Sequence, residues 1–177
     1  MIKKVFGAAL VLSIAACSTE EPVSVDVLNL EQTLAQITAF EQSAWGGCDR
    51  GRYNGVREEG DERLPFWVCE GVFENSYPYE FMIVTEPNES DVRYTQLEYR
   101  RGHNDSFYAL LRYFLRLQGI ESAQTRTELR SEVSSAIFAN PRHSAYTPIA
   151  RLPDGRLLEL AHNHPESAFS TLRVVNP

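Results

Sequence analysis

The sequence predicts an α+β fold: a single domain with antiparallel sheet packed against about three helices. Three observations predict it. Runs rich in β-branched and aromatic residues cluster in two groups instead of alternating with helices. Other stretches carry apolar residues at helical spacing, as in "SFYALLRYFLRLQ" (106–118). Turn signals such as Asn75-Ser76-Tyr77-Pro78 and Pro153-Asp154-Gly155 separate the strand-like runs.

The elements follow in the order α-β-β-β-α-α-β-β-β. Asn29 is placed to cap a first helix, with Gln32 three residues on. Leu30, Leu34, Ile37 and Ala44 share one face of it with Phe40 alongside, and Gly46-Gly47 is expected to end it. Residues 49–63, "DRGRYNGVREEGDER", alternate charges and contain Asn54-Gly55 and Gly60-Asp61, so an exposed loop or small hairpin is expected. Phe66–Phe73, Tyr79–Thr85 and Val92–Arg100 read as a three-strand meander, with Gly71 marking a bulge.

Asn104 or Asp105 then caps the most apolar helix, with Phe107, Leu110, Leu111, Phe114 and Leu115 on one stripe and Gly119 as its stop. Thr125 and Glu128 form a capping-box pattern before Leu129, Val133, Ala136 and Ile137, and Asn140-Pro141 closes that helix. "TPIARL" and "RLLELAH" flank Pro153-Asp154-Gly155 as a hairpin, and Phe169–Val175 is the last strand.

The N-terminus has a separate logic. Lys3 and Lys4 precede Val5–Ala16, which is apolar or small throughout. That run is shorter than the about 20 residues a membrane span needs and suits a secretory signal. Ile14-Ala15-Ala16-Cys17 resembles the lipobox of bacterial lipoproteins, a resemblance covering about the first 18 residues. It implies cleavage of residues 1–16 and acylation of Cys17. Residues 17–28 would then be a lipidated tether, and residues 29–177 the globular domain. Several acyl chains anchor a protein stably where one does not. Ser18, rather than Asp, after the cysteine implies the outer membrane, facing the periplasm.

The net charge is −7, and loss of Lys3 and Lys4 makes it −9. No other lysine exists, which excludes Schiff-base and S-x-x-K chemistry in the mature chain. The acidic balance argues against nucleic acid and for a cationic protein partner. Cys48 and Cys69 are an even pair in an oxidising compartment and read as a disulfide.

Motifs for catalysis are absent: no G-x-S-x-G, H-E-x-x-H, P-loop or G-x-G-x-x-G occurs. No cofactor is expected. The nearest alternative is zinc held by His143, His162 and His164, with Glu159 or Glu166. The partner-binding candidates are Arg52, Tyr53, Arg57, Glu58 and Glu59, inside the disulfide ring. Arg100, Arg101, Arg112 and Arg116 are a second cluster, suited to carboxylates or phosphates unless they only balance the acid excess. Trp45, Tyr53, Phe66, Trp67, Tyr77 and Tyr79 surround the disulfide in sequence and would mark an interface where exposed. The leading expectation is a non-enzymatic envelope lipoprotein that binds another protein, such as a wall hydrolase or toxin it inhibits. The alternatives are an assembly lipoprotein of an envelope complex and a small metal-dependent hydrolase.

Overall fold

A computed structural model describes residues 29–42, 47–73, 77–100, 104–139, 142–163 and 169–176. The elements are α1 (Leu30–Glu41), β1 (Gly51–Glu59), β2 (Glu62–Phe73), β3 (Tyr77–Thr85), β4 (Val92–Arg100), α2 (Asn104–Leu117), α3 (Ala123–Ala139), β5 (Arg142–Arg151), β6 (Leu157–Asn163) and β7 (Phe169–Val175). The strands form one antiparallel sheet in the order β1-β2-β3-β4-β7-β6-β5. The α+β class therefore holds, with one strand more than the order α-β-β-β-α-α-β-β-β expected from the sequence.

That strand is β1. The charged stretch is a long hairpin, because Gly60 takes φ of 63° and, with Asp61, turns the chain between paired Glu59 and Glu62. The Cys48–Cys69 disulfide, spanning 21 positions with Cα atoms 4.9 Å apart, closes the hairpin's other end. Closing a ring of this size stabilises by roughly 3 kcal/mol in the chain-entropy model.

Gly71 is no bulge: the β2–β3 register runs through it unbroken. It is glycine because the Tyr79 hydroxyl and the Gly47 carbonyl occupy the space a Cβ would fill. The register shift falls at Val84/Thr85 in β3–β4 instead. α1 starts as expected, with the Asn29 side chain accepting from the Gln32 N–H at 2.8 Å. Its helix stops at Glu41, before Ala44 and Gly46, which lie outside the described residues. α3 begins two residues before the Thr125 box. Ser122 Oγ already accepts from the Thr125 N–H at 3.2 Å, so Thr125 sits inside the first turn.

The helices cover one face of the sheet. Tyr79, Phe81, Ile83, Leu97, Leu160, Leu172 and Val174 from the strands pack with Phe40, Phe107, Leu110, Leu111, Phe114, Leu129 and Val133 from the helices. Phe81 stacks on Phe114 with ring planes 5° apart. Burying side chains of this size contributes about 1.5–3 kcal/mol each before entropy is counted. Among the described residues, no helix is long and apolar enough to cross a membrane.

Candidate functional site

Strand alternation sends every second side chain to the face away from the helices. There a second apolar cluster forms from Leu64, Val84 and Tyr94 with Phe66, Met82 and Val175, with no helical residue in it. Leu64, Val84 and Tyr94 are buried nonetheless. The sheet itself curls over them. Tyr94 on β4 hydrogen-bonds Glu59 on β1, and Tyr146 Oη on β5 donates to Gln96 Oε1 on β4 at 2.9 Å. Each bridge spans three strand steps, about 14 Å in a flat sheet. The open face is thus a trough.

Register divides the trough into rows. One row is Gly55–Phe66–Val84–Tyr94–Val175–Leu157, largely apolar. The next is Tyr53–Val68–Met82–Gln96–Arg173–Glu159. Here Arg173 is fixed from all sides: its Nε and Nη2 donate to Glu159 Oε2 at 3.0 and 2.7 Å, and its guanidinium lies 3.8 Å from the Tyr146 ring centre and 5.0 Å from that of Tyr94. The third row is Gly51–Glu70–Glu80–Glu98–Thr171–Ala161.

That third row places three carboxylates on adjacent strands, directly opposite one another. Like charges so placed repel. Burial, then Glu98, then Glu70 push the Glu80 carboxyl above its ordinary range, with Arg57 opposing, and burial does the same to Glu98. Glu70 accepts a hydrogen bond from Tyr53 Oη at 3.1 Å. Among the described residues, Glu80 and Glu98 have no hydrogen bond or ion pair. A recess of about 140 Å³ adjoins the row, bounded by Arg50, Pro78 and Phe169. Its neighbours in the row, Gly51, Thr171 and Ala161, are small, so they leave the carboxylates approachable.

The expected partner-binding residues all lie on β1, split between the two faces. Tyr53, Arg57 and Glu59 face the trough; Arg52 and Glu58 face the helical side. Arg57 pairs with Glu59 at 3.0 Å and Arg52 with Glu41, so β1 presents few free charges. The aromatics are likewise divided. Tyr53 and Phe66 meet edge-to-face in the trough, with centroids 6.2 Å apart. Trp67 lies on the other face, Tyr77 and Tyr79 are core, and Trp45 lies outside the described residues.

His143 and His162 are register partners in β5–β6. His162 is buried, with Nδ1 3.1 Å from Ser170 Oγ. Glu159 is on the opposite face, committed to Arg173, while His164, Glu166, Cys17 and Arg101 lie outside the described residues. Among the described residues, the one metal-like grouping is Glu41 with Cys48 and Cys69, whose sulfurs are already bonded to each other. Glu70, Glu80 and Glu98 escaped the sequence reading. Their signal was a lone carboxylate inside each of three consecutive apolar strands, "CEG", "YEF" and "LEY".

The chain matches no protein-family model, no curated protein and no solved structure.

Proposed function

We propose that the protein is a non-enzymatic envelope lipoprotein that binds a cationic protein on the open face of its sheet. The observation that carries this reading is the row Glu70–Glu80–Glu98. Three carboxylates in register, two of them partly buried and unpaired among the described residues, hold the free protein at a cost in repulsion and desolvation. A Lys or Arg head inserted from outside offsets these costs by attraction, because an opposite charge favours the ionised carboxylates. Exposed Tyr53 in the adjoining row and exposed Phe169 at the recess supply the apolar contact area that ion pairs alone do not.

The net charge of −7 steers a basic partner toward the molecule. An anchor at Cys17 would hold the domain at the membrane and confine it to envelope partners. Inhibition of a wall hydrolase or toxin is the form such capture would take if the bound cationic segment lines the partner's own site.

The test is capture from native envelopes at low and high salt, with the natural chain and with Glu70→Gln/Glu80→Gln/Glu98→Gln. The expected result is a basic protein retained by the natural chain at low salt and lost from the triple variant. Equal capture by both chains would refute the row as the binding surface. Capture that survives high salt would favour a lasting assembly role over a steered, reversible one.

A further inference from the structure

On the helical side, the chain builds a second charged feature of opposite sign. A groove of about 270 Å³ between α2 and α3 is lined by Arg112 and Arg116 from α2, Arg126 and Arg130 from α3, and Tyr108. We propose that this groove is a binding site for a phosphate group, presented by a phosphomonoester.

Each helix contributes two arginines one turn apart, at i and i+4. Like-charged pairs at that spacing are unfavourable. Here two such pairs face one another. No carboxylate lines the groove, and none of the four arginines makes an ion pair among the described residues. The cluster therefore does not neutralise the acid excess locally. It concentrates four of the fifteen arginines in one place without a counter-charge.

Two of the four are held in position. Arg126 Nη1 donates to the carbonyls of Ile120 and Glu121, both at 2.7 Å, which fixes its guanidinium at the start of α3. Arg130 lies over the Tyr108 ring at 4.0 Å, and Tyr108 Oη is in turn tied to Ser134 Oγ at 2.9 Å. Ala123, the first residue of α3, and Thr127, one turn on, also line the groove, so the positive end of that helix adds to the field. Guanidinium forks match oxyanions in pairs, and preorganised donors lower the ordering cost of binding. A carboxylate offers one charge and two oxygens. A phosphomonoester offers nearly two charges and three oxygens, which suits four forks and a helix end.

Both a lipid headgroup and a soluble ester carry this chemistry, and the experiment separates them. The full chain is titrated with inorganic phosphate, followed by amide resonances of α2 and α3. Sedimentation with phosphatidylcholine vesicles follows, with and without phosphatidic acid, so any anchor contributes equally to both. The variant is Arg112→Gln/Arg116→Gln, at exposed positions without an ion pair among the described residues.

The expected result is saturable phosphate binding in the groove, weakened at least about tenfold in the variant, the effect of losing one charge-assisted bond. Extra sedimentation with phosphatidic acid, lost in the variant, would support the site and identify a headgroup as its ligand. Phosphate binding without it would support the site and identify a soluble ester. Arg112→Lys/Arg116→Lys keeps the charge and loses the forks, so it should not restore affinity. Full recovery there, or resonance shifts equal in variant and natural chain, would overturn the proposal.

Discussion

On the open face of the sheet, Glu70, Glu80 and Glu98 stand in one row; on the helical side, Arg112, Arg116, Arg126 and Arg130 line one groove. The two regions share a core and differ in how their charge is held. The carboxylates are partly buried in a curled sheet, so burial itself pushes Glu80 and Glu98 toward protonation. The arginines ride on helices and line one groove that no carboxylate enters. Elsewhere opposite charges meet locally: Arg173 with Glu159, Arg57 with Glu59, Arg93 with Glu62, Arg156 with Asp154. A chain able to pair its charges so well leaves these two sets, among the described residues, without an ion pair. Uncompensated charge on a stable scaffold is a mark of recognition, because a binding site gives up stability that pairing would have supplied.

The largest effect comes from removing the core both regions rest on. Phe114→Ala, at a fully buried ring stacked on Phe81, should cost about 3–5 kcal/mol in denaturant unfolding and weaken both regions together. Next is the staple. Cys48→Ser/Cys69→Ser should lose about 2–4 kcal/mol and loosen β1, so partner capture by the trough falls while phosphate binding by the helices survives. Calorimetry and the two binding assays separate these outcomes.

Smaller effects touch one region alone. Glu80→Gln should raise the melting temperature at neutral pH while weakening capture of a cationic partner. The sign follows from the raised carboxyl. Folding holds the Glu80 proton more tightly than the unfolded chain does, so stability from this group is present at low pH. It is lost as pH rises from the ordinary value of 4.5 through the folded value. The natural chain should lose stability across that window, and the variant should lose less. The smallest effect is on the helices: Arg112→Gln relieves one like-charge pair and should stabilise by about 0.2–0.5 kcal/mol, an effect that fades with salt.

Legibility in the sequence followed the range of the interactions. α2 is legible almost to the residue because its stripe and Gly119 stop are local signals, and the Pro153-Asp154-Gly155 turn is equally plain. β1 reads as loop or hairpin because its residues are nearly all polar or small; as an edge strand it needs only Gly60 and a partner strand, not an apolar face. The disulfide was read from parity and compartment. The acid row was not legible, because it exists only through the pairing of β2, β3 and β4. Nothing local to "CEG", "YEF" or "LEY" says that the three glutamates share a row. The arginine groove is half legible: Arg112 and Arg116 are visible as a pair, while Arg126 and Arg130 join them only when α3 packs beside α2.

The measurement that bears most directly on the trough is resonance mapping of a short oligolysine peptide at low salt, on the natural chain and on Glu80→Gln/Glu98→Gln. The account predicts shifts centred on Glu70, Glu80, Glu98 and their neighbours in β2, β3 and β4, disappearing in the variant and with added salt. Shifts spread over other acidic surfaces and unchanged in the variant would contradict it.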